Sequence, residues 1–535
     1  MRRHVEQVDV VVVGCGAGGG VVAKELGEAG LSVLVVEAGR RFDAAADYAG
    51  DRVDFETSPG AFESPDPRRD RYTNGGAMGF EYVRVRGVGG STLAYGAVAL
   101  RLHESDFATR TRDGVADDWP ITYDDLEPYY TAVEYELGVA GPRGAMANPF
   151  DPPRSLPYPT PPHEFNEAGR LVKQAARRLG LHMVPVPLAI PTRTWEGRPA
   201  CTNAGACLIG CKIMAKSSVD VTFVRKAEAT GRVEIRPQCQ AVQVTVDRMG
   251  RARSVVYVDG QGQERQVAGR AIVLAANAVE TPRLLLLSRS SRFPQGLANS
   301  SGLVGKYFTE HLSVFRWGVI GQRVDAWHGP VINGMMQDFY ETDGRNGFAR
   351  GWTVVLDNNR QWPVAVARSV PGWGAAHKAR VQELFGHLIG LATVGEQLPD
   401  ARNYVALDPT VRDHLGLPVP HIVNEPREND RAMLAAMSRV LEEILRATGA
   451  TEIWDAEYTP GGSTHYLGTC RMGVDARTSV VDPWCRTHDV PNLFIADGSV
   501  FVTGGGVNPA LTIMALAMRT AAGIVEAFRR GEFPC

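Results

Sequence analysis

The stretch from residue 8 to residue 37, VDVVVVGCGAGGGVVAKELGEAGLSVLVVE, decides the fold class. It predicts a strand over residues 8–13, a helix over 18–28 and a second strand over 32–37. The apolar residues of both strands are continuous rather than alternating, which is typical of parallel strands buried on both faces. We therefore predict an α/β fold whose first element is a βαβ unit.

The turn between the first strand and the helix carries Gly14, Gly16 and Gly19 in the spacing G-x-G-x-x-G. These glycines permit a tight turn, close approach of the backbone to a pyrophosphate, and close helix–strand packing, in that order. The helix N-terminus adds N–H groups and partial positive charge. Glu37 ends the second strand, where a carboxylate accepts both ribose hydroxyls and repels a 2′-phosphate. The unit predicts FAD or NAD rather than NADP; the structural alternative is a glycine-rich turn without a ligand.

Composition excludes several classes of protein. The 535 residues are 44% apolar and carry a formal charge of −3, so nothing indicates binding to nucleic acid or to an anionic membrane surface. The first residues lead into a strand without an apolar signal segment, and eight cysteines in a chain of this size are not a disulfide framework. The apolar helical stretch at 510–525 contains Arg519 and is predicted to be too short to span a bilayer. We expect a cytoplasmic enzyme without membrane insertion.

Between the first unit and the C-terminus the pattern is mixed. Residues 40–82 are polar and irregular, and a proline-rich connection covers about 147–163. Residues 233–258 predict two strands, followed by a turn at 259–262 and a third strand. A further buried strand is predicted at 270–276, and a helix beginning at Thr281.

Four segments, which follow one another along the chain, resemble the signature segments of the glucose–methanol–choline (GMC) oxidoreductase family. They are GVGGSTLAYG (87–96), LAANAVETPRLLLLS (274–288), HYLGTCRMG (465–473) and ADGSVFVTGGGVNP (496–509). The resemblance extends from residue 8 to about 527 and is nearest to bacterial sugar and alcohol dehydrogenases and oxidases. It implies a discontinuous Rossmann-like FAD-binding domain, at 1–300 and 456–535, and an inserted α+β substrate domain, at 301–455, on an antiparallel sheet.

The resemblance also implies oxidation of an alcohol to a carbonyl, which needs a base for the hydroxyl proton and a flavin that accepts the hydride. His465 matches the catalytic histidine of the family, and a neutral imidazole suits a base near pH 7. Asn508 matches a position where the family has histidine or asparagine. Because an amide is no base at neutral pH, Asn508 would orient the alcohol oxygen. His311, in "FTEHL", lies in a segment that the family also uses near the site.

Several residues are candidates for contact with FAD. Asn508 and Pro509 could instead be only the N-cap and first residue of the last helix, whose N-terminus would stabilise negative charge on the reduced ring; we favour both roles together. Asp497 resembles a family contact to the flavin, with a turn residue as the alternative. The further cofactor candidates are Gly90, Ser91, Ala94, Tyr95 and Val242. Since neither Ala94 nor Tyr95 offers the imidazole with which some relatives attach FAD, we predict non-covalent FAD.

Cys201, Cys207 and Cys211 lie within eleven residues of one another. Their spacing lacks the C-x-x-C pairs of structural zinc sites, and the expected compartment disfavours a disulfide. We favour thiols packed as small apolar side chains. The resemblance adds an alternative, because bacterial dehydrogenases of the family that work with small and cytochrome subunits bind a 3Fe–4S cluster through cysteines at this spacing.

The sequence as a whole predicts an FAD-dependent oxidase or dehydrogenase that acts on a sugar, a glycoside or a related polyol. Electrons would pass to oxygen or to another acceptor. One alternative is a dehydrogenase subunit that hands electrons to an iron–sulfur cluster, a quinone or a cytochrome partner, with a small or cytochrome subunit beside it. Another is a flavin-binding electron carrier without catalysis. An NAD-dependent enzyme is disfavoured because no second nucleotide motif is present.

Overall fold

The structure, a computed structural model, describes residues 5–48, 66, 68–358, 363–456 and 458–533. In chain order, the strands of these residues are β1 (Glu6–Val13), β2 (Val33–Val36), β3 (Thr73–Asn74), β4 (Val233–Arg236), β5 (Gln240–Val246), β6 (Ala252–Val258), β7 (Glu264–Leu274), β8 (His311–Leu312), β9 (Phe315–Val319), β10 (Ile332–Met336), β11 (Trp352–Asp357), β12 (Leu388–Glu396), β13 (Tyr404–Arg412), β14 (Pro418–Val423), β15 (Glu452–Ala456) and β16 (Leu493–Ile495).

The helices of the same residues lie between and after these strands, in places several in a row. They are α1 (Gly19–Glu28), α2 (Ala44–Asp47), α3 (Thr109–Asp113), α4 (Tyr123–Leu137), α5 (Glu167–Arg178), α6 (Arg225–Ala229), α7 (Asn277–Leu287), α8 (Pro363–Ser369), α9 (Gly374–Leu384), α10 (Glu428–Ala447) and α11 (Ala510–Arg529).

The first sheet contains the predicted βαβ unit. Its strand order is β4-β2-β1-β7-β6-β5, with β16 beside the end of β7. Strands β4, β2, β1, β7 and β16 are parallel to their neighbours, while β6 and β5 form an antiparallel extension. Val10, Val11 and Val12 of β1 are fully buried, as the continuous apolar run predicts. The α/β class with a Rossmann-like parallel sheet is confirmed.

The strands that follow residue 233 differ from the prediction. Residues 233–258 form three strands rather than two, because the chain turns at residues 237–239, where Gln238 has a φ of +56°. The two strands predicted after the turn at 259–262 are one strand, β7. Its first half pairs with β6 and its second half with β1, so one long strand connects the antiparallel and parallel parts of the sheet.

Helix α7 begins at Asn277, four residues before the predicted start at Thr281. Asn277 has a φ of +80°, and its side-chain oxygen accepts hydrogen bonds from the backbone N–H groups of Val279 and Glu280. These bonds satisfy donors that the first turn of a helix leaves without an intrahelical partner. The early start brings the N-terminus of α7 to the end of β7.

The second sheet is antiparallel, with the order β10-β11-β12-β9-β15 and with β8 beside β12. Helix α10 packs on this sheet through Met433, Met437 and Leu441, which are fully buried. Helix α5 joins the same core through Ala168 and Val172. The sheet lies within the predicted substrate domain, although α5 comes from the part of the chain predicted to belong to the FAD domain. The domain boundaries themselves stay a prediction.

Two predicted connections can be compared with the structure. The proline-rich residues 148–163, all of them described, contain neither helix nor strand. The excursion at 40–82 lies partly outside the described residues, and its described part holds α2 and β3. Strand β3 pairs with β14 in a small third sheet, β13-β14-β3. The described part of the excursion is therefore less irregular than its composition indicates.

Helix α11 corrects one further prediction. It has 20 residues and, within the described part of the chain, is the one helix whose length and apolar composition would allow it to cross a membrane. The expectation that this stretch is too short was wrong, because the helix continues beyond residue 525 to Arg529. Its most apolar window is 67% buried inside the protein, which is typical of the core helix of a globular fold.

Candidate active site

A cavity of about 550 Å³ reaches from the glycine turn after β1 to the strands of the second sheet. The glycine turn and Glu37 line its part at the first sheet. His465 and Asn508 line it farther along, together with β9, β11 and β12. Both sheets therefore contribute to one continuous site.

Gly14 and Gly19 allow the turn to pack closely against neighbouring backbone. The Gly14 N–H donates to the carbonyl oxygen of Val36, at 2.8 Å, and Gly14 has a φ of +96°. A Cβ at Gly14 would lie 2.4 Å from the oxygen of Ala275, and one at Gly19 would lie 2.0 Å from the oxygen of Gly14. Gly19 itself does not line the cavity. Its place in the structure is the close helix–strand packing that the motif predicts.

Gly16 and Gly90 face each other across the same part of the cavity, and both line it. A Cβ at Gly90 would lie 2.7 Å from the Cα of Gly16, and Gly90 has a φ of +55°. The double glycine of the second signature segment thus leaves room next to the first. A space lined by backbone at a helix N-terminus fits the pyrophosphate of a dinucleotide, so the residues present fit FAD.

Glu37 is buried at the end of β2. One carboxylate oxygen accepts from the backbone N–H of Cys15, at 2.9 Å, and the other from Gly39, at 2.7 Å. Burial raises the pKa of this carboxyl, and these backbone hydrogen bonds oppose the rise. The side chain therefore supports the glycine turn and also lines the cavity at the place predicted for a ribose.

Most of the other cofactor candidates line the cavity. They are Ser91, Ala94, Tyr95, Asp497 and Pro509. Val242 is the exception: β5 contributes Gln240 and Ala241 instead. The pairing of β5 with β6 shifts register between Ala241 and Gln243, so Val242 lies at an irregularity of the strand. The structure does not bring Val242 to the site.

Asp497 connects the first turn of α7 with the turn that follows β16. Its carboxylate accepts from the hydroxyl of Thr281, at 2.5 Å, and from the backbone N–H groups of Asn277 and Ser499. Because the bond to Ser499 closes a short turn, the turn interpretation holds alongside the position of Asp497 in the cavity lining.

The structure brings His465 and Asn508 together. The amide Nδ2 of Asn508 lies 3.4 Å from Nε2 of His465 and can only donate, so Nε2 is the accepting nitrogen and Nδ1 carries the hydrogen. Asn508 Oδ1 and His465 Nδ1 are buried and have no hydrogen-bond partner among the described residues. Polar atoms of this kind, buried beside a cavity, are available to hydrogen-bond a bound molecule.

Electrostatics keep the His465 imidazole neutral. Burial, and then the neighbouring imidazole of His311, hold the pKa of His465 well below its usual value. The two rings meet edge to face, with their centroids 5.0 Å apart. Nε2 of His311 donates to the carbonyl oxygen of Gly505, at 2.9 Å, in the loop that precedes Asn508. His311 therefore lies behind His465 and contacts the chain that leads to Asn508.

The predicted helix cap at Asn508 is wrong. Helix α11 begins at Ala510, Pro509 occupies the cap position, and no side chain caps the helix. The first backbone bond of this turn runs from the N–H of Ile513 to the oxygen of Pro509. The side chain of Asn508 is therefore available to His465 and the cavity.

Sequence reasoning missed Glu310. This glutamate is 2% exposed, and its carboxylate accepts from the backbone N–H of Gly461, at 2.7 Å, and from the hydroxyl of Ser463, at 2.9 Å. Asn424 and Tyr458 donate to it as well. Burial raises the pKa of Glu310 to about 7. The signal in the sequence was an acid beside His311; the contacts show that it holds the loop from which His465 projects.

Arg84 and Arg86 were also missed, and both line the cavity. Arg84 pairs with Glu280, at 3.0 Å, and Arg86 donates to Gln240, at 2.9 Å. Both guanidinium groups are also paired with Asp70, at 3.2 Å, so their charges are balanced by acids at the edge of the cavity.

The three clustered cysteines do not form a metal site in the structure. Among the described residues, no group of three or more histidine, cysteine or acidic side chains could hold a metal. Cys207 belongs to the main apolar core, and Cys201 packs against that core. Burial raises the pKa of Cys201 to about 11 and raises that of Cys207, which favours thiols over the thiolates that bind iron. The iron–sulfur prediction is not supported, whereas packing agrees with these contacts.

Comparisons with known proteins agree with this geometry. Sequence models described as GMC oxidoreductase match residues 72–313 and 399–517, and one described as FAD binding domain matches residues 9–80. The fructose dehydrogenase large subunit of Gluconobacter japonicus is 32% identical, over 99% of this chain and 100% of its own. The 2-methyl-1,2-propanediol dehydrogenase of Mycolicibacterium austroafricanum is 34% identical, over 97% of this chain and 95% of its own.

Solved structures show the same fold at lower identity. Formate oxidase of Aspergillus oryzae superposes with a TM-score of 0.65 at 16% identity, and the match covers 98% of this chain and 99% of that one. At this identity the likeness concerns the fold alone.

Proposed function

This chain belongs to the glucose–methanol–choline family of FAD-dependent oxidoreductases, and from that premise we propose that it oxidises an alcohol to a carbonyl with His465 as the base. The observation that carries the proposal is the pair of His465 and Asn508, with a neutral imidazole and two unsatisfied polar atoms beside the cavity.

The residues that would hold FAD are the glycine turn, Glu37 and the double-glycine segment that ends in Ala94 and Tyr95. When bound, FAD supplies the acceptor for the hydride that leaves the alcohol carbon. Since the Ala94–Tyr95 segment offers no imidazole for attachment, we propose that FAD is held without a covalent bond.

His465 takes the hydroxyl proton. With the hydrogen on Nδ1, Nε2 keeps one lone pair, and the alcohol hydroxyl replaces the Asn508 amide as its hydrogen-bond donor when substrate binds. Burial keeps the imidazole neutral, so the base is ready across the neutral pH range. As the proton reaches Nε2, positive charge develops on a ring that lies edge to face with His311.

Asn508 orients the alcohol. Its amide Nδ2 can donate to the alcohol oxygen while the hydroxyl proton points at Nε2 of His465. The same donor stabilises negative charge on that oxygen as the proton leaves. Asn508 can do this because its side chain does not cap α11.

The proposed substrate is an alcohol, and the names of the two relatives point to two different classes of alcohol. One relative is named for fructose and the other for a small branched diol. The sequence favoured a sugar, a glycoside or a related polyol.

A second candidate concerns the electron acceptor. The relative from Gluconobacter is named as a large subunit, which supports a dehydrogenase that works with a small or cytochrome subunit rather than with oxygen. Hydrogen peroxide formed in air during turnover would indicate the oxidase; reduction of a dye acceptor without peroxide would indicate the dehydrogenase.

The test is the flavin spectrum of the purified protein under anaerobic conditions. Bleaching of the visible flavin absorption by an added alcohol is the expected result, and a spectrum that no alcohol or sugar changes would leave only an electron carrier. Acid precipitation of the same sample should release the yellow flavin into the supernatant. Flavin that remains with the precipitate would contradict non-covalent binding.

A further inference from the structure

The cavity ends on a wall made by the second sheet. Phe315 of β9, Ala392 of β12 and Val355 of β11 pair with one another in register, so they form one row across three neighbouring strands. All three line the cavity. Side chains in register on neighbouring strands point to the same face of a sheet, so this row presents a continuous apolar surface to the site.

Further apolar side chains extend this row. A Cβ at Gly96, beyond the cofactor segment, would lie 3.2 Å from Ile332, so this wall begins where the cofactor segment ends. We call the whole set the apolar wall; its members are Phe315, Val331, Ile332, Val355, Ala392 and Val394.

Polar groups on this side of the cavity are few and partly engaged. The hydroxyl of Thr393 accepts from the backbone N–H of Val314, at 2.9 Å, and donates to the sulfur of Met437, at 3.2 Å. The phenol of Tyr95 donates to the carbonyl oxygen of Ser217, at 2.7 Å. Ser313 and Asp357, which is 7% exposed, also line the cavity, as do Ser463 and Thr464 beside His465.

We infer that the substrate is a small alcohol or diol whose alkyl part lies on the apolar wall, rather than a sugar ring; this rests on the proposed function. A methylene buried on such a wall favours binding about fourfold. A sugar hydroxyl facing the wall would lose its hydrogen bonds to water without replacement, which disfavours binding roughly tenfold for each hydroxyl. A diol has one hydroxyl for His465 and Asn508 and a second for Ser313.

The test is anaerobic flavin reduction in the holoenzyme, followed by stopped flow. The substrates are 1-propanol, 1-butanol, 1-pentanol, 1,2-propanediol and 2-methyl-1,2-propanediol, with glycerol, D-glucose and D-fructose as polar counterparts. The ratio of the reduction rate constant to the apparent dissociation constant should rise about fourfold with each methylene until the cavity is full. The alkyl alcohols and diols should exceed both sugars at least tenfold.

Substitutions on the wall give a second readout. Val355→Thr and Val394→Thr keep the side-chain shape but place a hydroxyl on the apolar wall, so they should lower the ratio for 1-butanol about fivefold and change that for glycerol less than twofold. Val319→Thr is the matched control, because Val319 is 8% exposed, lies on β9 and does not line the cavity. It should leave both ratios unchanged.

Each result has a distinct meaning. Faster reduction by either sugar than by every alkyl alcohol and diol would overturn the inference and leave the proposed function intact. Equal behaviour of Val355→Thr, Val394→Thr and the control would overturn it as well. A flavin that no compound of either class bleaches would overturn both the proposed function and the inference.

Discussion

Asn508 and His465 act as a pair because the backbone leaves both side chains free for each other. Asn508 has no capping bond to α11, and its Nδ2 lies 3.4 Å from Nε2 of His465. A single hydrogen bond from the Asn508 amide contributes only modestly to the binding energy. Loss of that donor in a closed site, however, leaves the alcohol oxygen without a hydrogen-bond partner.

Replacement of Asn508 by alanine should slow flavin reduction about tenfold and leave the free energy of unfolding within about 0.5 kcal/mol. The free energy of unfolding is nearly unchanged because Asn508→Ala removes no cap from α11. Thr122→Ala is the contrasting control, since the Thr122 hydroxyl accepts from the backbone N–H of Asp125 and caps α4. That variant should lose about 1 kcal/mol without slowing reduction. If urea unfolding shows the same loss of stability in both variants, the claim that the Asn508 side chain does not cap α11 is wrong.

The pH dependence of flavin reduction should report on His465. Because the pKa of His465 lies well below 6.5, the base is neutral at pH 6.5 and above, so the rate should fall only as the pH drops far below that value. His311→Ala removes a ring that lowers this pKa, so the acidic limb should move to higher pH. If the wild-type rate already falls at or above pH 6.5, or if His311→Ala does not shift the pH at which it falls, then burial and His311 do not lower the pKa of the base.

At the scale of the element, the glycine turn and the loop around His465 are held by different means. The turn after β1 depends on the absence of side chains, since a Cβ at Gly90 would lie 2.7 Å from the Cα of Gly16. The loop that leads to His465 depends instead on a buried carboxyl, that of Glu310.

Gly90→Ala should weaken FAD binding at least tenfold, because the methyl group occupies the space next to Gly16 and the residue has a φ of +55°. Gly114→Ala is the matched control. Gly114 also has a positive φ, of +71°, but nothing lies within 4 Å of its Cβ position. Fluorescence titration of the apoprotein with FAD measures both. An equal loss of FAD affinity in the two variants would show that the backbone strain of a positive φ causes the loss, and not the close approach of residue 90 to Gly16.

Glu310→Leu removes the acceptor for Gly461, Ser463, Asn424 and Tyr458, so it should slow flavin reduction about tenfold by releasing the loop of His465. Glu310→Gln keeps an acceptor and should retain most of the rate. Because burial raises the pKa of Glu310 from 4.5 to about 7, the folded state binds the extra proton, and stability from this group falls as the pH rises from 4.5 to 7.

In Glu310→Gln that loss of stability between pH 4.5 and pH 7 should disappear, which urea unfolding at several pH values would reveal. Equal rates of the Leu and Gln variants, both near wild type, would contradict the anchoring role.

At the scale of the whole molecule, the sequence predicted the parts of the fold that short-range patterns encode. The valine run of β1 and the glycine turn identify the βαβ unit, because burial on both faces and a tight turn each need particular residues. The division of residues 264–274 into two strands was wrong, since pairing partners that are distant in sequence make them one.

The site was predictable to a similar extent. The positions of His465, Asn508, Glu37 and the glycines follow from motifs, and all but Gly19 line one cavity. Glu310 and the apolar wall were not predicted, because their roles arise only when β9, β11 and β12 meet the loop at residues 461–465. Nothing in the sequence near Val355 or Ala392 distinguishes a strand that faces a substrate from one that faces a core.

The most direct test is the rate of anaerobic flavin reduction in His465→Ala, compared with wild type at saturating alcohol. His182→Ala, at an exposed histidine outside the cavity, is the control. His465→Ala should bind FAD as wild type does and reduce it roughly 10²-fold or more slowly, while the control keeps the wild-type rate. Reduction of FAD by His465→Ala at a rate near wild type would contradict the assignment of His465 as the base.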